Sequence, residues 1–197
     1  MAINPLGRWQ PKRTIMNMQV HFHRTDGHGG YVVLMRRDDG LTVRLPGYDR
    51  KWRVPHDMAH FATEREFNLG QGVFGSIAAG ALFSNMSVVA GRPRYDVTVR
   101  SRSVIKAHTA ELGLAEAVSG VVHDGVEHDA ALPVMYSRLV ETWSSMRPGP
   151  CPYQMVTLRR CLAVLALLES RWREIAVGQR LALRWESPTP TGRRNAA

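Results

Sequence analysis

The segment Pro55-His56-Asp57-Met58-Ala59-His60-Phe61-Ala62-Thr63-Glu64 gathers two imidazoles and two carboxylates within ten residues. On a helix, positions four apart share a face, so His56 and His60 can present two ring nitrogens to one divalent ion such as zinc, as the two histidines of a zinc-protease helix do. The acid after the first histidine is Asp57, where that pattern carries Glu; the candidates for positioning or deprotonating a water are Asp57 and Glu64. Glu64 lies eight positions from His56, about 12 Å along a straight helix, too far to share one ion with both histidines. A third ligand must then come from another element. His21 and His23, or His123, Asp124, Glu127 and His128 of VVHDGVEHD, have the right donor types. The plainer reading has His56 and Asp57 capping the helix start, with His60 a hydrogen-bonded core histidine.

A second constellation is the loop Gly47-Tyr48-Asp49-Arg50-Lys51-Trp52-Arg53, which runs into the same helix. Free N–H groups at a helix N-terminus favour anions. Arg50, Lys51, Arg53 and the indole of Trp52 would add phosphate and base contacts, giving a site for nucleic acid or another phosphate-bearing ligand. The competing reading is a basic surface loop anchored by Trp52. Nucleophile elbows, Walker-type loops and Cys-x-x-Cys pairs are absent from the sequence.

These residues need elements to position them. From Thr14, Met16, Met18, Val20 and Phe22 alternate with Asn17, Gln19, His21 and His23, the period of a half-buried strand over 14–23. RTDGHGG is a turn, Tyr31–Met35 a second strand within 30–36, and Asp38-Asp39-Gly40 a hairpin signal before a third strand over 41–45. Pro55 suits a first helical position, and a helix over 55–69 follows. GVFGSIAAGALF then sets Gly72, Gly75, Ser76, Ala79 and Gly80 close together, where small side chains permit close approach by a neighbouring element. SNMSVVAGRPRYD reads as a loop. Val97–Val122 reads as a helix interrupted near Gly113 or Gly120, and VVHDGVEHD as a loop around Gly125. A helix spans Leu132–Met146. Another spans Met155–Val177; its apolar residues cover nearly every face from Cys161 to Leu168, the pattern of a central buried helix. Leu181, Leu183 and Trp185 alternate with Arg180, Arg184 and Glu186 in a fourth strand that can pair with the N-terminal three.

The expected fold is therefore α+β: a small antiparallel sheet, an N-terminal three-stranded meander plus a C-terminal strand, packed by about five helices. With 197 residues and a hydrophobic share of 44%, the chain can bury one core without staples, so residues 1–186 read as one globular domain and 187–197 as a disordered tail. Two cysteines are too few for a disulfide scaffold. The N-terminus has no signal-like apolar run, and no stretch reaches membrane-spanning length, which together predict a cytoplasmic protein with no membrane partner. The net charge of +9 comes from 23 arginines and three lysines, a positive field that attracts phosphates, nucleic acid or acidic partners.

PHDMAHFATE followed by GVFGSIAAGALF resembles a segment of small uncharacterised, hypothetical bacterial proteins. The resemblance covers roughly thirty residues; it implies a bacterial, cytoplasmic origin and one unit made of the His56 helix and the small-residue segment, and carries no activity with it. Three functions follow from the residues. The preferred one is a divalent-metal-dependent hydrolase with His56 and His60 on the metal. The alternatives are a basic anion- or nucleic-acid-binding module and a non-catalytic protein-interaction domain whose oligomeric state the sequence leaves open.

Overall fold

In a computed structural model of the chain, residues 17–28, 30–47 and 52–187 are described. The start of the first predicted strand, the loop residues Arg50 and Lys51, and the tail from residue 188 onward lie outside them.

The alternating segments form the strands they predict: β1 (Asn17–Arg24), β2 (Tyr31–Arg37) and β3 (Thr42–Pro46). β4 (Ser87–Ala90) and β5 (Arg180–Glu186) complete an antiparallel sheet of order β4-β3-β2-β1-β5. β4 lies inside the segment read as a loop. It is four residues long, sits at an edge and exposes most of its side chains, so it carries no alternating signal. β5 pairs with β1 from Asn17 opposite Glu186 to His23 opposite Arg180. One sheet face is apolar: Met18, Val20, Phe22, Val33, Met35, Val43 and Trp185 are buried in the core.

Five helices complete the fold: α1 (His56–Glu66), α2 (Val73–Ala79), α3 (Val97–Glu127), α4 (Leu132–Met146) and α5 (Met155–Glu174). The innermost is α1. Met58 through Glu64 are all buried, and α1 packs against α2, α3 and α5. A helix buried all round is normally apolar, so the enclosed His60, Thr63 and Glu64 must each find polar partners. The central role expected of the 155–177 helix falls to α1 instead. α5 buries one stripe, Leu158, Cys161, Leu165, Leu168 and Trp172, while Leu167 is 60% exposed. With α1 already filling the interior, α5 has only one face to cover.

α3 runs uninterrupted through Gly113, Gly120 and Gly125 for 31 residues, contrary to the expected break. Each helical glycine costs about 1 kcal/mol relative to alanine, and the packing of Leu114, Ala115, Val118 and Val122 overrides that cost. At Gly125 the missing side chain is needed, because a Cβ would stand 2.3 Å from Met135 Cε on α4. The segment VVHDGVEHD is accordingly helical as far as Glu127. Among the described residues no helix is long and apolar enough to cross a membrane.

The small residues around the start of α2 permit the close approach their composition predicts. A Cβ on Gly75 would lie 2.0 Å from the Gly70 carbonyl oxygen, which is backbone and has no rotamer by which to yield. Gly75→Ala is therefore expected to destabilise the protein by about 1–3 kcal/mol, the usual cost of forced overpacking. Urea unfolding reads this directly, and an unchanged midpoint would show that the 70–75 turn is not held as tightly as these contacts require.

Candidate metal centre

His56 opens α1 and His60 follows one turn later, so the helical repeat alone brings their rings to a centroid distance of 4.7 Å. Opposite them, α3 presents Glu116. Its Oε2 lies 3.2 Å from His60 Nε2 and its Oε1 3.9 Å from His56 Nε2. One ligand atom from each of His56, His60 and Glu116 lies within 4.8 Å of the others. Tetrahedral zinc with bonds of about 2.1 Å needs donor separations of about 3.4 Å, so small side-chain rotations close the set around an ion.

The environment is asymmetric. The His60 side chain is 2% exposed and that of Glu116 63%, so the cluster is closed at its base and open to solvent at its rim. Behind His60 lies Glu64, fully buried, with Oε1 3.3 Å from His60 Nδ1. The Glu64 carboxylate also accepts the first backbone N–H groups of α2, from Val73 at 2.8 Å and Phe74 at 2.9 Å. These groups are left unpaired by any helix start, and the positive end of the helix dipole favours an anion there. A Cβ on Gly72 would stand 2.5 Å from Glu64 Cδ, so this glycine leaves the space the carboxylate fills.

The consequence for His60 is a fixed orientation. With Glu64 accepting at Nδ1, the neutral ring carries its proton there and turns the Nε2 lone pair toward His56 and Glu116. That buried Nε2 is near Glu116 but outside hydrogen-bond geometry, and no other described group satisfies it. Burial pulls the imidazole pKa down, but the Glu116 and Glu64 carboxylates outweigh it and push the pKa up to about 10. His60 in turn holds the Glu116 carboxyl below its usual range, against the smaller opposing effect of burial. Burial pushes the Glu64 carboxyl up, while His60 and the two backbone donors act in the other direction.

Of the residues picked from sequence, His56 and His60 come together. Asp57 turns away from them and accepts a hydrogen bond from the Tyr31 hydroxyl at 2.9 Å. Glu64 supports His60 from behind, shielded from solvent. None of the expected third ligands joins the cluster. His21 and His23 stand on the opposite face of β1 from the core residues Val20 and Phe22. The His123 ring packs 5.4 Å from that of His56, but its Nε2 is 3.0 Å from the Val54 carbonyl oxygen. Glu127 accepts the Arg53 and Val54 backbone N–H groups, and His128 and Asp124 lie on the exposed side of the α3 terminus. The third member is Glu116, which the sequence reading missed. Its signal was present: Leu114, Ala115, Val118 and Val122 mark the buried stripe of α3, and Glu116 sits beside it. The break expected near Gly113 hid that periodicity.

The basic loop is arranged differently. Arg53 donates to the Val126 carbonyl and to Asp129 at 2.9 Å, and the hydrogen bond it donates to Asp129 is the main cause that raises its pKa. Trp52 packs edge-on against His123 and His128. The protein's own carboxylate, Glu127, thus occupies the backbone donors that precede α1.

Comparison of the chain with protein-family models, with curated proteins and with solved structures gives no match.

Proposed function

We propose that the protein is a divalent-metal-dependent hydrolase whose ion, zinc by the chemistry of the donor set, is held by His56 Nε2, His60 Nε2 and Glu116. The observation that carries this reading is a buried imidazole whose Nδ1 is fixed by a buried carboxylate and whose Nε2 faces a second histidine and a second carboxylate. A carboxylate behind a ligating histidine is the usual second layer of a zinc centre, where it sets the tautomer and raises the basicity of the ligand.

Three protein ligands with a solvent-open rim make a catalytic arrangement, since structural zinc sites close all four positions. A bound ion of this kind would leave one position to water, whose pKa it would lower to about 7. Glu64 and Asp57 have supporting roles: Glu64 orients His60, and Asp57 ties the first turn of α1 to Tyr31.

The test is elemental analysis of protein purified without a histidine tag, followed by chelation and titration with zinc. About one equivalent of metal, or a zinc-dependent rise in thermal stability that Glu116→Ala removes, supports the centre. Hydrolysis of ester, amide or phosphoester probes by zinc-loaded protein, lost in the same variant, supports the reaction class. Metal-free protein that zinc does not stabilise would overturn the centre; a loaded but inert protein would overturn the hydrolase.

A further inference from the structure

The sheet face turned away from the core has a composition the metal centre does not use. Because side chains alternate along a strand, the register places Arg184, Gln19 and Arg36 side by side across β5, β1 and β2; His21 beside Leu34 and Arg44 across β1, β2 and β3; and Arg180 next to His23. Arg36, Arg44, Arg180 and Arg184 are exposed, and His21 and His23 between them are half-buried. The only carboxylate among the outward positions of β1, β2, β3 and β5 is Glu186, which pairs with Arg184 at 3.3 Å at the rim. No described carboxylate pairs with Arg36, Arg44 or Arg180. At one end the face deepens into a cavity of about 330 Å³ whose lining includes Gln19, Arg36, Arg37 and Arg184 and one carboxylate, Asp38.

We infer that this open face of the sheet binds single-stranded nucleic acid, its arginines taking phosphates and the His21 and His23 rings taking base faces. Charge complementarity selects a polyanion: four arginines stand around a nearly acid-free surface, in a chain of net charge +9. The centre selects a ligand with exposed π-faces. Flat sheets that bind single strands stack bases on rings of their central strands, histidine included, while arginines hold the backbone and stack in their turn. Burial first, and then the charge of Arg180, keep both imidazoles below their usual pKa, so at neutral pH they are uncharged rings. A duplex buries its base faces and an acidic polypeptide has none, so neither uses this centre.

Four residues along β5 separate Arg180 from Arg184, about 13 Å, and two strand spacings separate Arg184 from Arg36, about 10 Å. That area accommodates on the order of four nucleotides, the low end of site sizes for single-strand-binding folds.

The experiment is fluorescence anisotropy of a labelled eight-nucleotide mixed-sequence strand, DNA and RNA in parallel, with the full chain in chelator so that the metal centre plays no part. Binding is expected to weaken with salt. The double variant Arg36→Gln/Arg184→Gln should lower the slope of log affinity against log salt by about 1.4, since each phosphate contact contributes about 0.7 for single strands. His21→Ala/His23→Ala should weaken binding at least about thirtyfold and leave the slope unchanged. Circular dichroism checks that each variant is folded. Wild-type binding by either folded double variant overturns the proposal. So does displacement of the strand by poly-glutamate at equal charge, which would assign the face to acidic polypeptides, or preference for a duplex, which would remove the stacking.

Discussion

Glu64→Ala is expected to destabilise the protein by about 3–5 kcal/mol, the range for removing one partner of a buried charged pair. Glu64 is fully buried and its two oxygens serve three donors: His60 Nδ1 and the backbone N–H groups of Val73 and Phe74. Alanine leaves all three unpaired where water does not reach and opens a void beside Gly72, whose absent Cβ made room for the carboxylate. Glu64→Gln keeps the shape but sets an amide donor against one of those N–H groups, and should cost less, about 1–3 kcal/mol. The measurement is the denaturant midpoint at constant m-value. A Glu64→Ala protein within about 0.5 kcal/mol of the parent would mean that the interior of α1 is not organised around this carboxylate. In metal titration Glu64→Gln should also weaken zinc about 10–100-fold, because it orients a ligand without being one.

His60→Ala should abolish stoichiometric zinc, with a loss exceeding the roughly 100-fold that removing an orienting group can cost. Glu116→Ala should also lose zinc while changing stability much less, since its side chain is largely exposed whereas His60 is enclosed. That contrast separates a metal ligand from a structural residue, and it fails if both variants bind metal as the parent does. The raised pKa of His60 adds a pH signature. Its folded value of about 10 lies above the ordinary 6.5, so its contribution to apo-protein stability is fully present below pH 6.5 and is lost as pH rises toward 10. Zinc must displace the same proton, so apparent affinity should increase about tenfold per pH unit between pH 7 and 9. Stability of the apo-protein and affinity for metal therefore run in opposite directions over one pH interval, which calorimetry at several pH values resolves. A flat affinity over that interval would show that no proton leaves His60 on binding.

The alternation of Met18, Val20 and Phe22 with Gln19, His21 and His23, and of Leu181 and Trp185 with arginines, was enough to find four of the five strands, because a half-buried strand writes its two faces into the sequence. β4 was missed since an exposed edge of four residues has no such contrast. The helix carrying the histidines was legible from Pro55 and the apolar residues after it, and so was their shared face. The interior position of α1 was not, because His60 and Glu64 lower its apolar content, while the Cys161–Leu168 run suggested a centrality that α5 does not have. Burial depends on the neighbours packed around each helix, and α1 is enclosed by α2, α3 and α5. The His60–Glu64 pair is within reach of sequence reasoning, since the two are four apart and share a helix face. Glu116 was harder, since no local rule says which turn of α3 faces which turn of α1.

The place of β5 beside β1 bears on how the molecule assembles. β1 precedes every described helix in the chain, and one of its two edges is covered by Arg180–Glu186, which follows all of them. Until that pairing forms, the N-terminal meander holds an uncapped row of N–H and C=O groups next to Met18, Val20 and Phe22, the kind of edge that recruits a strand from another chain. Pairings this distant in sequence are entropically late and slow to form. Protection of the β1 edge therefore rests on a pairing between strands more than 150 residues apart.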